Sequence, residues 1–155
     1  NCVGNGQYIA AGLMNGEIRF LDPRSPTSTV MTAVHGKSPV MQLKFTDELD
    51  GYSLISGGGD AKICEWDPRN LSEPFVCIDI NRSPTKFCVS GKHAFIPCEV
   101  GHIRIVNLKN NEIFIVENTP FSYTISSADF VDASTSTIVA ASWDGTAAIG
   151  EYKIK

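Results

Sequence analysis

The sequence predicts an all-β chain of propeller blades: about four four-stranded antiparallel blades, the first and last of them incomplete. Two observations carry this. Four stretches align with one another, Ile9 to Arg24, Leu54 to Arg69, Ala94 to Lys109 and Ile138 to Lys153, and their starts lie 45, 40 and 44 residues apart (54 − 9, 94 − 54, 138 − 94). That period belongs to a four-strand blade rather than to a paired-helix repeat. Each stretch also reads as strand, tight turn, strand, with apolar residues recurring every second position.

The first strand of each repeat carries Ile9, Leu54, Ala94 and Ile138 in one column, followed by Ala10, Ile55, Phe95 and Val139. The turns are Asn15-Gly16, Asp60-Ala61, Val100-Gly101 and Asp144-Gly145. Asn-Gly and Asp-Gly supply the positive φ that a tight hairpin needs. The second strand aligns Ile18, Ile63, Ile103 and Ala147, then Phe20, Glu65, Ile105 and Ile149 two residues on. A further strand is expected upstream of three repeats, around Val40 to Phe45, Pro84 to Val89 and Ile125 to Phe130. A fourth is expected downstream of three, at Thr29 to Ala33, Phe75 to Ile78 and Glu112 to Val116. The first repeat shows no upstream strand and the last no downstream one, so the chain is expected to open and stop in mid-blade. It reads as one segment, 1–155, with repeats at about 2–34, 35–81, 82–118 and 119–155. Open blades expose unpaired backbone edges, so the segment is expected to belong to a larger propeller or to complete its ring by self-association.

Composition narrows the function. The chain has 155 residues, enough for a real core. It shows neither a membrane-spanning apolar run nor a secretory leader pattern, and no membrane partner is expected. The five cysteines, Cys2, Cys64, Cys77, Cys88 and Cys98, are odd in number and contain no C-x-x-C pair. They point to free thiols in strands rather than to a disulfide framework or a zinc site, and so to an intracellular location, cytoplasmic or nuclear. A net charge of −4 argues against direct nucleic-acid binding by bulk electrostatics. His35, His93 and His102 stand far apart in the repeat, and no metal, cofactor or catalytic motif is indicated. Gly57-Gly58-Gly59 could be read as a phosphate cradle, but it runs into a hairpin turn instead of a helix N-terminus. Close packing of the blade is the other reading. Asp47 and Glu48 fall in a polar loop, Thr46 to Gly51, that solvation explains.

Leu54 to Asp67, ending in Glu65-Trp66-Asp67, with Asp60 in the turn and His35-Gly36 upstream, resembles a WD repeat. The whole array is similar to a WD-repeat β-propeller, whose four-stranded sheets stand radially around a channel. The resemblance implies a buried network joining His35, Ser56, Asp60 and Trp66 as scaffold, although this chain reads His-Gly where the family has Gly-His. Leu21, Val106 and Gly150 stand where the other repeats would carry the Trp.

One rim position stands apart. After the second strand each repeat places an acidic or amide residue and, two residues on, a basic one: Asp22 and Arg24, Asp67 and Arg69, Asn107 and Lys109, Glu151 and Lys153. Leu54 to Arg69 resembles the box of WD-repeat proteins that act as substrate receptors of cullin-RING ubiquitin ligases, with Glu65 departing from its aliphatic position. That resemblance implies that Arg24 and Arg69, oriented by Asp22 and Asp67, contact a propeller adaptor. Alternatively, each Asp simply pairs with its own Arg. The resulting expectation is a non-catalytic protein–protein interaction scaffold, with the ligase receptor as its sharpest form. Peptide or histone-tail recognition and RNA-processing assemblies are the alternative scaffold roles. A propeller hydrolase is the competing class. It would need titratable residues at the channel-facing strand ends, where these columns hold Gly, Ala and aliphatics. Fold alone does not choose among partners.

Overall fold

A computed structural model describes all residues except 1, 26–27, 32–34, 47–52, 71, 85, 99–100, 117–118, 133–136 and 152–155. Each sequence repeat forms its own antiparallel sheet. The first holds β1 (Cys2–Gly4), β2 (Ile9–Gly12), β3 (Ile18–Leu21) and β4 (Ser28–Met31). The second holds β5 (Val40–Thr46), β6 (Ser53–Gly58), β7 (Lys62–Trp66) and β8 (Val76–Asp79). The third holds β9 (Cys88–Ser90), β10 (His93–Pro97), β11 (Ile103–Asn107) and β12 (Ile113–Val116). The fourth holds β13 (Ile125–Asp132), β14 (Thr137–Ser142) and β15 (Ala147–Glu151). In every sheet neighbours in sequence are neighbours in space, so each is a simple meander.

The first blade corrects one expectation. It carries a fourth strand, because β1 pairs with β2 in the register Cys2↔Ala11, Val3↔Ala10, Gly4↔Ile9. The sequence hid this strand because Cys-Val-Gly is too short for an alternating pattern, and a turn at Asn5 to Tyr8 separates it from β2. Asn5 builds that turn by accepting the backbone N–H groups of Gln7 and Tyr8 at 3.1 and 2.8 Å. The fourth sheet has three described strands, with β15 outermost.

The turn chemistry follows the sequence. The second residue of each hairpin turn has positive φ: Gly16 at 84°, Ala61 at 64°, Gly101 at 71° and Gly145 at 83°. Ala61 pays a steric cost there that glycine avoids, and the turn holds because Asp60 accepts the Lys62 N–H.

The chain divides into two compact units, Asn1–Ser83 and Pro84–Lys155, of two sheets each. In the first unit, β1 and β2 pack on β5. Alternation along the strands turns Ala10, Ile18 and Phe20 of the first sheet toward Val40, Leu43, Leu54 and Trp66 of the second, and all are buried. Phe20 lies at the centre, its ring 4.9 Å from Tyr8 and 6.2 Å from Phe45. Gly12 permits this approach, since a Cβ there would lie 2.5 Å from a Val40 methyl. In the second unit β9 and β10 pack on β13, and Phe95 meets Phe130 edge to face at 4.8 Å.

A second correction concerns the cysteines. Cys64 and Cys77 are joined by a disulfide, while Cys2, Cys88 and Cys98 remain thiols. The β7–β8 register sets Cys64 directly opposite Cys77. A sequence separation of 13 conceals that pairing from any spacing rule.

Candidate functional site

The second sheet contains a Ser-His-Asp array. His35 Nδ1 lies 2.8 Å from the Asp60 carboxylate, and His35 Nε2 lies 2.9 Å from the Ser56 hydroxyl. By distance alone this matches a nucleophile, base and orienting acid. It cannot serve as one, because His35, Ser56 and Trp66 are fully buried and the Trp66 indole N–H donates to Ser56 Oγ at 3.0 Å. A substrate carbonyl has no path to that oxygen. The array instead fastens the loop at His35 to the turn at Asp60 and to β7. Gly58 leaves room for it, since a Cβ there would sit 2.2 Å from His35 Nδ1 and 2.4 Å from the Asp60 oxygen. A Cβ added at Gly59 would lie 3.1 Å from Pro39 Cδ. The glycine run therefore serves close packing.

The rim residues are the other candidates. In both Asp-Pro-Arg turns the Asp carboxylate accepts the Arg backbone N–H, at 2.9 Å for Asp22 and Arg24 and 2.8 Å for Asp67 and Arg69. The same carboxylate then receives the guanidinium as a fork. Arg24 Nε and Nη2 lie 2.8 Å from the two Asp22 oxygens. Arg69 Nε and Nη2 lie 2.9 Å from those of Asp67. Pro23 and Pro68, with φ fixed, set the same exit from the strand. Asn107 makes the same backbone turn with Lys109 at 3.0 Å, and Lys153 lies outside the described residues. The Arg24 fork and its backbone N–H hold the Asp22 carboxyl well below the usual range, at about 2. Asp67 is lowered by the Arg69 fork in the same way, and both guanidinium groups are shifted upward by their carboxylates. The pairs are nonetheless open to solvent, with the arginine side chains 65% and 81% exposed.

The structure adds Tyr8, which the sequence reading missed. Arg24 Cζ stands 5.7 Å from the centre of the Tyr8 ring. A half-buried phenol packed on Phe20 thus lies under Arg24 at the rim. Its only signal in the sequence was an aromatic residue just before the β2 column.

The second unit holds an apolar cleft of about 220 Å³, bordered by Ile103, Ile105, Phe121, Ile138, Ala140 and Ile149. Among the described residues on its wall, Glu151 is the ionisable one. Among the described residues no group of three or more His, Cys, Asp or Glu side chains is placed to hold a metal.

With this geometry in hand, comparison with solved structures gives the fold. The computationally designed Ika4 protein superimposes with a TM-score of 0.82 at 16% identity, over 98% of this chain and 89% of that one. A chain of the mitotic checkpoint complex superimposes at 0.79 and 18% identity, over 99% of this chain and 49% of that one. The fold is that of β-propeller blades. No protein-family model matches the chain. Regulatory-associated protein of TOR 2 from Oryza sativa subsp. japonica is 26% identical over 121 residues, 74% of this chain and 9% of that protein. Protein transport protein SEC31 from Kluyveromyces lactis is 34% identical over 68 residues, 44% of this chain and 5% of that protein. Together these matches support a WD-repeat type of family for the chain. The chain spans less than a tenth of the length of either curated relative. Among the described residues, the second blade joins His, Ser, Asp and Trp. In the fourth blade Asp144 instead receives Ser122 and Thr146, through bonds of 2.9 Å from each backbone N–H.

Proposed function

We propose that the chain is a non-catalytic protein–protein interaction scaffold whose docking surface is the rim formed by Arg24, Arg69 and Tyr8. One observation carries this reading. Two Asp-Pro-Arg turns with the same internal geometry occupy the same position in adjacent sheets, and Arg24 of the first stands over the Tyr8 ring. Arginines held by a bidentate fork lose little rotamer freedom when a partner docks, and arginine and tyrosine are enriched among residues that dominate binding energy. Since each carboxylate neutralises its own guanidinium, the surface selects by shape and hydrogen bonding rather than by bulk charge. The resemblance of Leu54 to Arg69 to the box of cullin-RING substrate receptors makes a ligase adaptor the partner to test first. The burial of the Ser-His-Asp array supports the non-catalytic reading. An intracellular location, cytoplasmic or nuclear, belongs to the same proposal. It requires the Cys64–Cys77 bridge to be dispensable for folding, because cytosolic thiols are kept reduced. Among the described residues β15 is an end strand of its sheet, and self-association through strand edges is a second mode of contact within this proposal.

The test is affinity capture from cell extract with the wild-type chain and an Arg24→Ala, Arg69→Ala variant whose thermal melt matches wild type. An adaptor captured by the wild type and lost from the variant is the expected result. Equal capture by both chains would remove the arginine rim as the docking site. Absence of the adaptor from both would remove the receptor reading.

A further inference from the structure

In the second unit the turn end of the fourth sheet presents two large aromatic side chains to solvent, Trp143 at 74% exposure and Tyr123 at 63%. Their segments are tied together. The Trp143 N–H donates to the Thr124 carbonyl at 3.0 Å, and the Ser122 N–H and hydroxyl donate to the Asp144 carboxylate at 2.9 and 3.1 Å. Tyr123 therefore sits between two residues that are each bonded to the Trp143-Asp144 turn. Large aromatics left this open are uncommon on a surface that meets only water, and they concentrate at binding sites.

Charge identifies the chemistry of the partner. From Asn110 to Tyr152 the chain holds six acidic residues, Glu112, Glu117, Asp129, Asp132, Asp144 and Glu151, and no Lys, Arg or His. Asp144 stays ionised throughout the ordinary pH range. Its bonds from Thr146, and then from Ser122, hold its carboxyl far below the usual range. The faces of an indole and a phenol carry negative potential and attract a cation directly. The acidic excess of residues 110–152 reinforces that field, and an anionic ligand would be repelled.

We propose that Trp143 and Tyr123 form a docking surface for a basic segment of a protein partner, with a lysine or arginine side chain seated on the Trp143 ring beside Asp144. The proposal rests on the scaffold reading but not on the arginine rim, which belongs to the other unit. The chain has two tryptophans, and Trp66 is fully buried. A ligand-induced change in indole emission therefore reports on Trp143. The experiment titrates the chain with an octalysine peptide, using octaglutamate as the control. Octalysine is expected to give a saturable change in emission and octaglutamate none. By anisotropy of labelled octalysine, Trp143→Ala is expected to weaken binding about tenfold and Trp143→Phe no more than about threefold. Tyr123→Ala is expected to weaken it as well. Both side chains are exposed, so these variants should melt with the wild type. Unchanged affinity in Trp143→Ala, or equal binding of octaglutamate, would overturn the proposal. The Arg24→Ala, Arg69→Ala variant should bind octalysine like the wild type, which separates failure of this surface from failure of the rim.

Discussion

Ser56 accepts the Trp66 indole N–H while its hydroxyl meets His35, so one oxygen organises three side chains in a volume that water does not reach. Replacing it by alanine leaves the indole N–H and His35 Nε2 buried with no partner for either. Unpaired buried groups of this kind cost about 1–3 kcal/mol. Chemical denaturation of Ser56→Ala should show a loss of that size with an unchanged slope. Trp66→Ala, which removes packing as well, should cost about 3–5 kcal/mol. At the rim, Asp22 offers a titration that reads one bond. Its folded pKa of about 2 lies below the ordinary aspartate value of 3.8, so the fork's contribution is fully present above pH 3.8 and is lost as pH falls through about 2. Carboxyl chemical shifts should place the Asp22 midpoint near 2 in the wild type and return it to the ordinary carboxylate range in Arg24→Ala. A wild-type midpoint near 3.8 would mean that the fork does not persist in solution.

At the scale of elements, hairpin register decides what meets what. β8 is the outer strand of its sheet, and Cys77 on it is exposed while its partner Cys64 is buried. Alkylation of denatured, unreduced protein should label three cysteines and, after reduction, all five. Five labels without reduction would show that the bridge does not form. Closing a loop of this size is worth about 3 kcal/mol in the chain-entropy account. Cys77→Ser should lose about that much stability and still fold, since the His35, Ser56, Asp60 and Trp66 contacts do not involve Cys77. The hairpins themselves were legible in the sequence. Asn-Gly and Asp-Gly announce positive φ, and period-two columns fix the buried face. β1 was not legible, because three residues carry too little pattern. The disulfide was not either, because its register depends on how residues 67–75 return the chain to β7.

At the scale of the whole chain, each repeat yields one sheet and each pair of sheets yields one core. The fourth sheet differs in ending at β15 among the described residues. The outer N–H and C=O groups of a terminal strand are a template for another strand. Sedimentation equilibrium should give a mass that rises with concentration above 16.8 kDa, and Ile149→Lys, a charge on that edge strand, should hold the mass at the monomer value. A monomer at all concentrations would remove self-association. The sequence by itself determined the repeat and the hairpins, because local propensity and a fixed blade geometry act at every copy of the pattern, whereas the four members of the Trp66 network were named only by the resemblance of the second repeat to a WD repeat. Only the tertiary structure decided the remaining points: that the Ser-His-Asp array is sealed by Trp66, that Tyr8 lies under Arg24, and that Cys64 faces Cys77. Each is a contact between residues distant along the chain. Such contacts depend on how strands register and sheets stack, and no local pattern of residue types encodes that.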